Sequence, residues 1–110
     1  MSQGKVVHVL GNLPYDFYVG RAMPRYGLRG SPYQNTYKVK DHGREGALAL
    51  YERKYRALLR EIPGLDREIS EMRGMTLACW CAPKDRALTV EDETVCHGQI
   101  LLRLAEGASR

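Results

Sequence analysis

All three cysteines of the chain lie in two short motifs in its C-terminal third, and this placement constrains its fold and function most. A Cys-Trp-Cys-Ala-Pro motif occupies positions 79–83, and a Cys-His-Gly motif occupies positions 96–98. The apolar run through the first motif predicts a short buried strand that ends at the proline. Because side chains alternate along a strand, Cys79 and Cys81 would leave its end on one face.

The second motif predicts the start of a helix. Apolar residues follow it at helical spacing, and they are Ile100, Leu101, Leu104 and Ala105. Gly107 then ends the apolar run. A strand end that carries two thiols and a helix start that carries a Cys-His pair would come together in a compact domain. The two motifs therefore predict one shared site.

The rest of the chain predicts a single domain over residues 1–110. Strands are predicted at 5–10 and 16–19, helices at 44–62 and 65–73, an ordered loop at 22–41 and a short tail at 107–110. This order predicts an α/β fold with a small, mostly parallel sheet of three or four strands. Three helices would flank the sheet in a Rossmann-like three-layer domain. Ligands of such sheets bind outside the carboxyl ends of the strands.

Composition excludes few classes of protein. The 110 residues are 44% hydrophobic and 27% charged, as in an ordinary globular protein. The net charge of +4 is compatible with a polyanionic partner without requiring one. No apolar run reaches the length of a membrane span and no signal peptide opens the chain, so we expect a cytoplasmic protein without a membrane partner. An odd number of cysteines in a reducing compartment favours free thiols or metal ligands.

Several motifs carry a resemblance to a known family. They are Tyr18-Val19-Gly20-Arg21, the segment 31–37 with Asn35, Gly43-Arg44-Glu45, Arg73-Gly74 and the two cysteine motifs. With these motifs the chain resembles the domain of unknown function 4326 family, whose members occur in phages and cellular organisms. The resemblance spans roughly residues 16–106 and implies a fold, a site and a phage-type protein of the host cytoplasm. It implies no established activity.

Three departures from the family pattern stand out. The family reads Gly-Asn-Pro-Phe where this chain has Gln-Asn-Thr-Tyr at 34–37. Asp follows Cys-His-Gly in the family, whereas Gln99 stands here. The segment 84–95 between the cysteine motifs is also longer than usual, and acidic. If the family's Asp has a chemical role, this chain has lost it.

The cysteine motifs leave three interpretations open. Cys79, Cys81, Cys96 and His97 supply the four ligands of a closed tetrahedral zinc site, which makes zinc the candidate cofactor. Alternatively, the helix start at Cys96 stabilises a thiolate or binds an anion, with Arg21 as a bidentate partner. The third interpretation is that the cysteines only pack in the core.

Two functions follow from these interpretations, and the first is favoured. A small anionic, nucleotide-like ligand would bind at the carboxyl edge of the sheet through Gly20, Arg21, Asn35, Cys96, His97 and Gly98, with its phosphate on the helix start. The alternative is a zinc-stabilised module that contacts nucleic acid or a host protein through the basic, tyrosine-rich loop. No carboxylate pair, serine triad or phosphate-binding loop is present, so the sequence does not decide whether the protein is an enzyme.

Overall fold

The computed structural model describes residues 3–108 of the chain. Its strands are β1 (Lys5–His8), β2 (Phe17–Tyr18) and β3 (Thr76–Cys79). Its helices are α1 (Val39–Glu61), α2 (Leu65–Ser70) and α3 (His97–Ala108), and one 3-10 turn covers Pro24–Tyr26. None of the helices in this part of the chain is both long and apolar enough to span a bilayer.

The three strands form a parallel sheet in the order β1-β3-β2. Leu77 in β3 pairs with Val6 on one side and with Phe17 on the other. β3 is the central strand, and its Leu77 and Ala78 are fully buried, which is why it reads as an uninterrupted apolar run. The predicted α/β fold with a small parallel sheet is therefore confirmed, with three strands.

The predicted number of helices is also confirmed. All three helices contact one another, and α3 lies against β1 and β3. In a three-layer domain the sheet would separate the helices on its two faces. The Rossmann-like three-layer arrangement is therefore not confirmed.

Several predicted boundaries shift. β1 and β2 are shorter than predicted. α2 ends at Ser70, because residues 71–73, which were predicted to continue it, form a turn. The predicted tail begins inside α3, which runs to Ala108, and residues 109–110 lie outside the described part of the chain. Only the ends of the elements move, because the exact end of an element depends on local hydrogen bonding that the apolar pattern does not specify.

Helix α1 contains a sharp break at Gly43. The backbone there has φ 71° and ψ 165°, which separates a first turn at 39–42 from a regular helix that begins at Arg44. Glycine is favoured at such a φ because it has no Cβ to clash with the backbone. The regular part matches the helix predicted from residue 44, and it buries Tyr51 and Tyr55 toward the core.

These two tyrosines attach the loop between β2 and α1 to the helix. The Tyr51 hydroxyl donates a 2.6 Å hydrogen bond to the carbonyl of Tyr33, and the Tyr55 hydroxyl donates one of 3.0 Å to the carbonyl of Pro32. The Tyr33 hydroxyl donates in turn to the Glu68 carboxylate in α2. Burial, with the nearby carboxylate of Glu68, raises the pKa of Tyr33 well above its ordinary value. The loop is thus fixed to two helices.

Gly98 allows α3 to approach the sheet closely. A Cβ at this position would lie 3.1 and 3.2 Å from the two Cγ atoms of Val6 in β1. Val6 is fully buried, so its side chain has little room to move. The third residue of the Cys-His-Gly motif is therefore a packing requirement of the fold.

We predict that Gly98→Ala lowers the free energy of unfolding. Overpacking of a core lowers the free energy of unfolding by about 1–3 kcal/mol. The better helix propensity of alanine offsets about 0.5–1 kcal/mol of this loss. Gly107→Ala in the same helix is the matched control, because nothing lies within 4 Å of its Cβ position. Urea denaturation monitored by circular dichroism measures both. A Gly98→Ala protein as stable as the Gly107→Ala protein would contradict this packing argument.

Candidate functional site

A pocket of about 260 Å³ lies at the carboxyl edge of the sheet. Its walls come from the residues that follow β2, the residues that follow β3, the start of α3 and the segment 35–48 around the kink in α1. All three strands are parallel, so their carboxyl ends meet at one edge, where ligands of open α/β sheets bind. The pocket is where the fold class places a ligand site.

The polar lining of this pocket favours a negative charge. Arg21 follows β2, and Arg44 begins the regular part of α1. No aspartate or glutamate is among the described residues that line the pocket. Tyr37 and Trp80 add aromatic surface. The pocket therefore combines two guanidinium groups, which suit phosphate or carboxylate, with two rings against which a planar group can stack.

His97 is held as a neutral side chain in the pocket wall. Its Nε2 lies 2.7 Å from the carbonyl oxygen of Val19, and because a carbonyl can only accept, Nε2 carries the proton. Burial, assisted by the Arg21 charge, lowers the pKa of His97, while the bond to Val19 acts in the opposite direction. Among the described residues Nδ1 has no hydrogen-bond partner, so it remains an acceptor. The ring packs edge-on against Tyr51.

The three cysteines converge behind one wall of the pocket. The Sγ atoms of Cys79, Cys81 and Cys96 all lie within 4.8 Å of one another. Cys79 and Cys96 are completely buried, whereas Cys81 is exposed and lines the pocket. Desolvation by the surrounding protein raises the pKa of the Cys81 thiol, and the charges of Arg44 and Arg21 oppose this effect.

The Cys79 and Cys96 sulfurs are in direct contact, but the backbone is not placed for a disulfide. Their Cα atoms are 7.7 Å apart. Cysteines whose Cα atoms are more than about 7 Å apart cannot be bridged without movement of the backbone. Three soft sulfur ligands from two elements form a donor set that suits zinc.

Three of the four predicted metal ligands come together, and the fourth does not. His97 is not part of the sulfur cluster, because the ligand atoms that lie within 4.8 Å of one another are the three sulfurs and include neither ring nitrogen of His97. Adjacent residues at a helix start point in different directions, so the pairing of Cys96 and His97 in sequence does not bring both to one ion.

Four of the six predicted ligand-binding residues line the pocket, and they are Gly20, Arg21, Asn35 and His97. The Asn35 amide is already engaged: Nδ2 donates to the carbonyl of Ala47 at 3.3 Å, and Oδ1 accepts from the N–H of Tyr37 at 2.9 Å. Asn35 therefore shapes the wall of the pocket through these two bonds.

Cys96 and Gly98 lie outside the pocket, and the helix start that they form is already capped. The N–H of Gly98 donates to the Cys96 sulfur at 3.4 Å. The N–H groups of Val95 and Cys96 donate to the side-chain oxygen of Gln99 at 2.8 and 3.1 Å. A phosphate on this helix start, as the sequence predicted, would have to displace these bonds. The structure therefore does not favour that position for an anion.

Gln99 is a structural residue that the sequence analysis did not identify. Its side chain is fully buried, and its Nε2 donates to the carbonyls of Thr89 and Glu93 at 2.9 and 3.1 Å. Together with Cys96 it forms the equivalent of a capping box, with Cys96 as N-cap and Gln99 three positions later. That spacing was visible in the sequence. Gln99 ties the acidic segment to α3.

Trp80 is a pocket residue that the sequence did not identify as part of the site. It is half-buried and lines the pocket, because β3 ends at Cys79 and alternation no longer applies beyond it. Its Nε1 donates to the Tyr18 hydroxyl at 2.7 Å, and that hydroxyl donates to the carbonyl of Arg21 at 2.6 Å. This chain of hydrogen bonds fixes the turn that carries Arg21.

Fold and site together define a small α/β protein with a cationic pocket and a three-cysteine cluster at the carboxyl edge of a parallel sheet. The family model described as "Domain of unknown function (DUF4326)" matches residues 7–107. The chain belongs to this family, which confirms the resemblance carried by its motifs. No curated protein matches the chain, and no solved structure does.

We predict that Gln99→Glu destabilises the protein by about 2 kcal/mol or more. The substitution keeps the shape and the acceptor oxygen but leaves two carbonyls without a donor, at about 1–3 kcal/mol for each buried unsatisfied group. The control is Gln34→Glu, where one half-buried bond to the Ser31 carbonyl is lost. Denaturant midpoints of the three proteins are the measurement.

The pH dependence of that loss has a definite sign. Facing two carbonyls, the introduced carboxyl has a folded-state pKa above its unfolded value of about 4.3. The variant is therefore closest to wild type below that value and loses relative stability as pH rises. A difference from wild type that is constant with pH would contradict the assigned contacts.

Proposed function

We propose that the protein binds a small anionic ligand of the nucleotide class in the pocket at the carboxyl edge of its sheet. The observation that carries the proposal is the lining of that pocket, with Arg21, Arg44 and two aromatic rings and no carboxylate among its described residues. An uncompensated pair of guanidinium groups beside aromatic surface matches a phosphate joined to a planar base.

In this proposal the phosphate lies between Arg21 and Arg44. Arg21 and Arg44 line the same pocket, together with Cys81. Neither forms an ion pair with a carboxylate of the described residues. A guanidinium offers a planar fork of donors that binds phosphate oxygens in pairs.

The base would stack on Trp80 or Tyr37, and the sugar would lie near His97. The Nδ1 of His97 is an acceptor without a partner, which suits a ligand hydroxyl. The volume of about 260 Å³ is near the lower end of ligand clefts, which are about 300–1,000 Å³. This size supports one small molecule rather than a nucleic-acid strand. The proposal concerns binding and includes no turnover.

The alternative function is a zinc-stabilised module that contacts nucleic acid or a host protein through the basic loop. Its main support is Tyr26, which is 44% exposed and has the Arg25 guanidinium over its ring. The other loop tyrosines have structural roles, since Tyr33 is buried and Tyr37 packs against the core. We therefore favour the pocket.

Trp80 provides a direct test because it is the only tryptophan in the chain. We predict that a nucleoside monophosphate changes its fluorescence in a saturable titration, and that the matching uncharged nucleoside binds much more weakly. A single-stranded oligonucleotide serves as the competing ligand. The nucleic-acid-binding alternative predicts a different result. In that case the oligonucleotide would bind with an affinity that falls steeply with salt, and no mononucleotide would change the fluorescence.

We further predict that Arg21→Gln and Arg44→Gln each weaken nucleoside monophosphate binding by about 1.5–3 kcal/mol, which is the usual range for a hydrogen bond to a charged group. Arg21→Lys should also weaken it, because an ammonium lacks the planar fork. Arg29→Gln is the matched control, since Arg29 is exposed in the same loop outside the pocket. Equal effects at all three arginines would indicate a general charge effect and contradict the pocket.

A further inference from the structure

We propose that Cys79, Cys81 and Cys96 form a three-thiolate zinc site whose fourth coordination position opens into the pocket. This differs from the closed site with His97 that the sequence predicted. The metal site itself does not depend on the proposed ligand. Only occupation of the fourth position by the anion of that ligand rests on the proposed function.

The sulfur positions fit one metal ion. Zinc–sulfur bonds of about 2.3 Å in a tetrahedron place the sulfurs about 3.8 Å apart. The three Sγ atoms already lie within 4.8 Å of one another, so small side-chain rotations suffice to surround an ion. A disulfide between Cys79 and Cys96 would require movement of the backbone instead, because their Cα atoms are 7.7 Å apart.

The surroundings of the sulfurs also suit thiolates. The N–H of Gly98 donates to the Cys96 sulfur, which is the kind of outer-shell bond that orients metal ligands. Three thiolates and one divalent ion leave a surplus negative charge. Arg21 and Arg44 line the same pocket as Cys81, and their positive charges offset that surplus. Cysteines that only pack in the core would need neither a hydrogen bond to sulfur nor positive charges nearby.

The different exposure of the three cysteines indicates which side of the metal site is open. Cys79 and Cys96 are completely buried, and Cys81 faces the pocket. His97 follows Cys96 in sequence, but neither of its ring nitrogens belongs to the group of ligand atoms that lie within 4.8 Å of one another. Zinc sites with three protein ligands keep the fourth position for water or for a ligand. Here that position lies beside the two arginines.

The first experiment measures metal content. The protein is purified with a reductant and without chelator, and its native mass is compared with its denatured mass and with elemental analysis. We expect about one zinc per chain. Cys81→Ser should keep the fold, because this residue is exposed, and should weaken zinc binding by more than the roughly 10–100-fold typical of an outer-shell change.

The matched variant is His97→Gln, whose amide can still donate to the Val19 carbonyl. It should retain zinc in full if the site consists of three thiolates. Loss of zinc comparable to that of Cys81→Ser would overturn the three-thiolate assignment. A zinc-free wild-type protein whose mass and peptide map show a Cys79–Cys96 disulfide would overturn the metal site altogether.

The second experiment tests the open position. Zinc is replaced by Co²⁺, whose visible bands report the ligands of a tetrahedral site, and azide is added as a small anionic probe. We expect azide to shift the bands of the wild type and of His97→Gln. Bands that do not respond to azide would show a closed site and overturn the inference.

The same samples separate this inference from the proposed function. If cobalt responds to azide but no nucleoside monophosphate changes either the cobalt bands or the Trp80 fluorescence, the metal site stands and the proposed ligand is wrong. If Trp80 responds to a nucleoside monophosphate in a protein that binds no metal, the ligand stands and the metal site is wrong.

Discussion

Hydrogen bonding of β3 to a parallel strand on each side is the constraint on which the rest of the structure depends. It brings the residues after β2 and after β3 to one edge, so that Arg21 and Cys81 line the same pocket although they are sixty positions apart. Had either neighbouring strand been antiparallel, its following turn would lie at the opposite edge of the sheet. The site is therefore a product of strand direction.

Satisfaction of backbone donors decides where within this edge an anion is favoured. An open helix start attracts phosphate because its first N–H groups have no partners. In α3 the side chains of Gln99 and Cys96 already provide partners for two of these groups, the N–H of Cys96 and the N–H of Gly98. The positive potential available to a ligand then comes from the guanidinium groups of Arg21 and Arg44. A well-capped helix and a phosphate-binding helix are alternatives, and this chain has the first.

Much of this architecture was predictable from periodicity and spacing, and the remainder depends on side-chain direction. The helical repeat located the regular part of α1, and the two cysteine motifs indicated convergence of the thiols. Spacing does not specify which way His97 turns, nor that β3 ends before Trp80. The helix start at Arg44 was predicted, but its position beside the pocket depends on the tertiary structure and was not.

The placement of Tyr51 links the shape of the pocket to the stability of the whole protein. Its ring packs against His97, its hydroxyl holds the loop that forms one wall, and its side chain is part of the core. Few substitutions at position 51 could alter one of these contacts and leave the others intact. A substitution at position 51 that moves His97 in the pocket wall would therefore also lower the melting temperature.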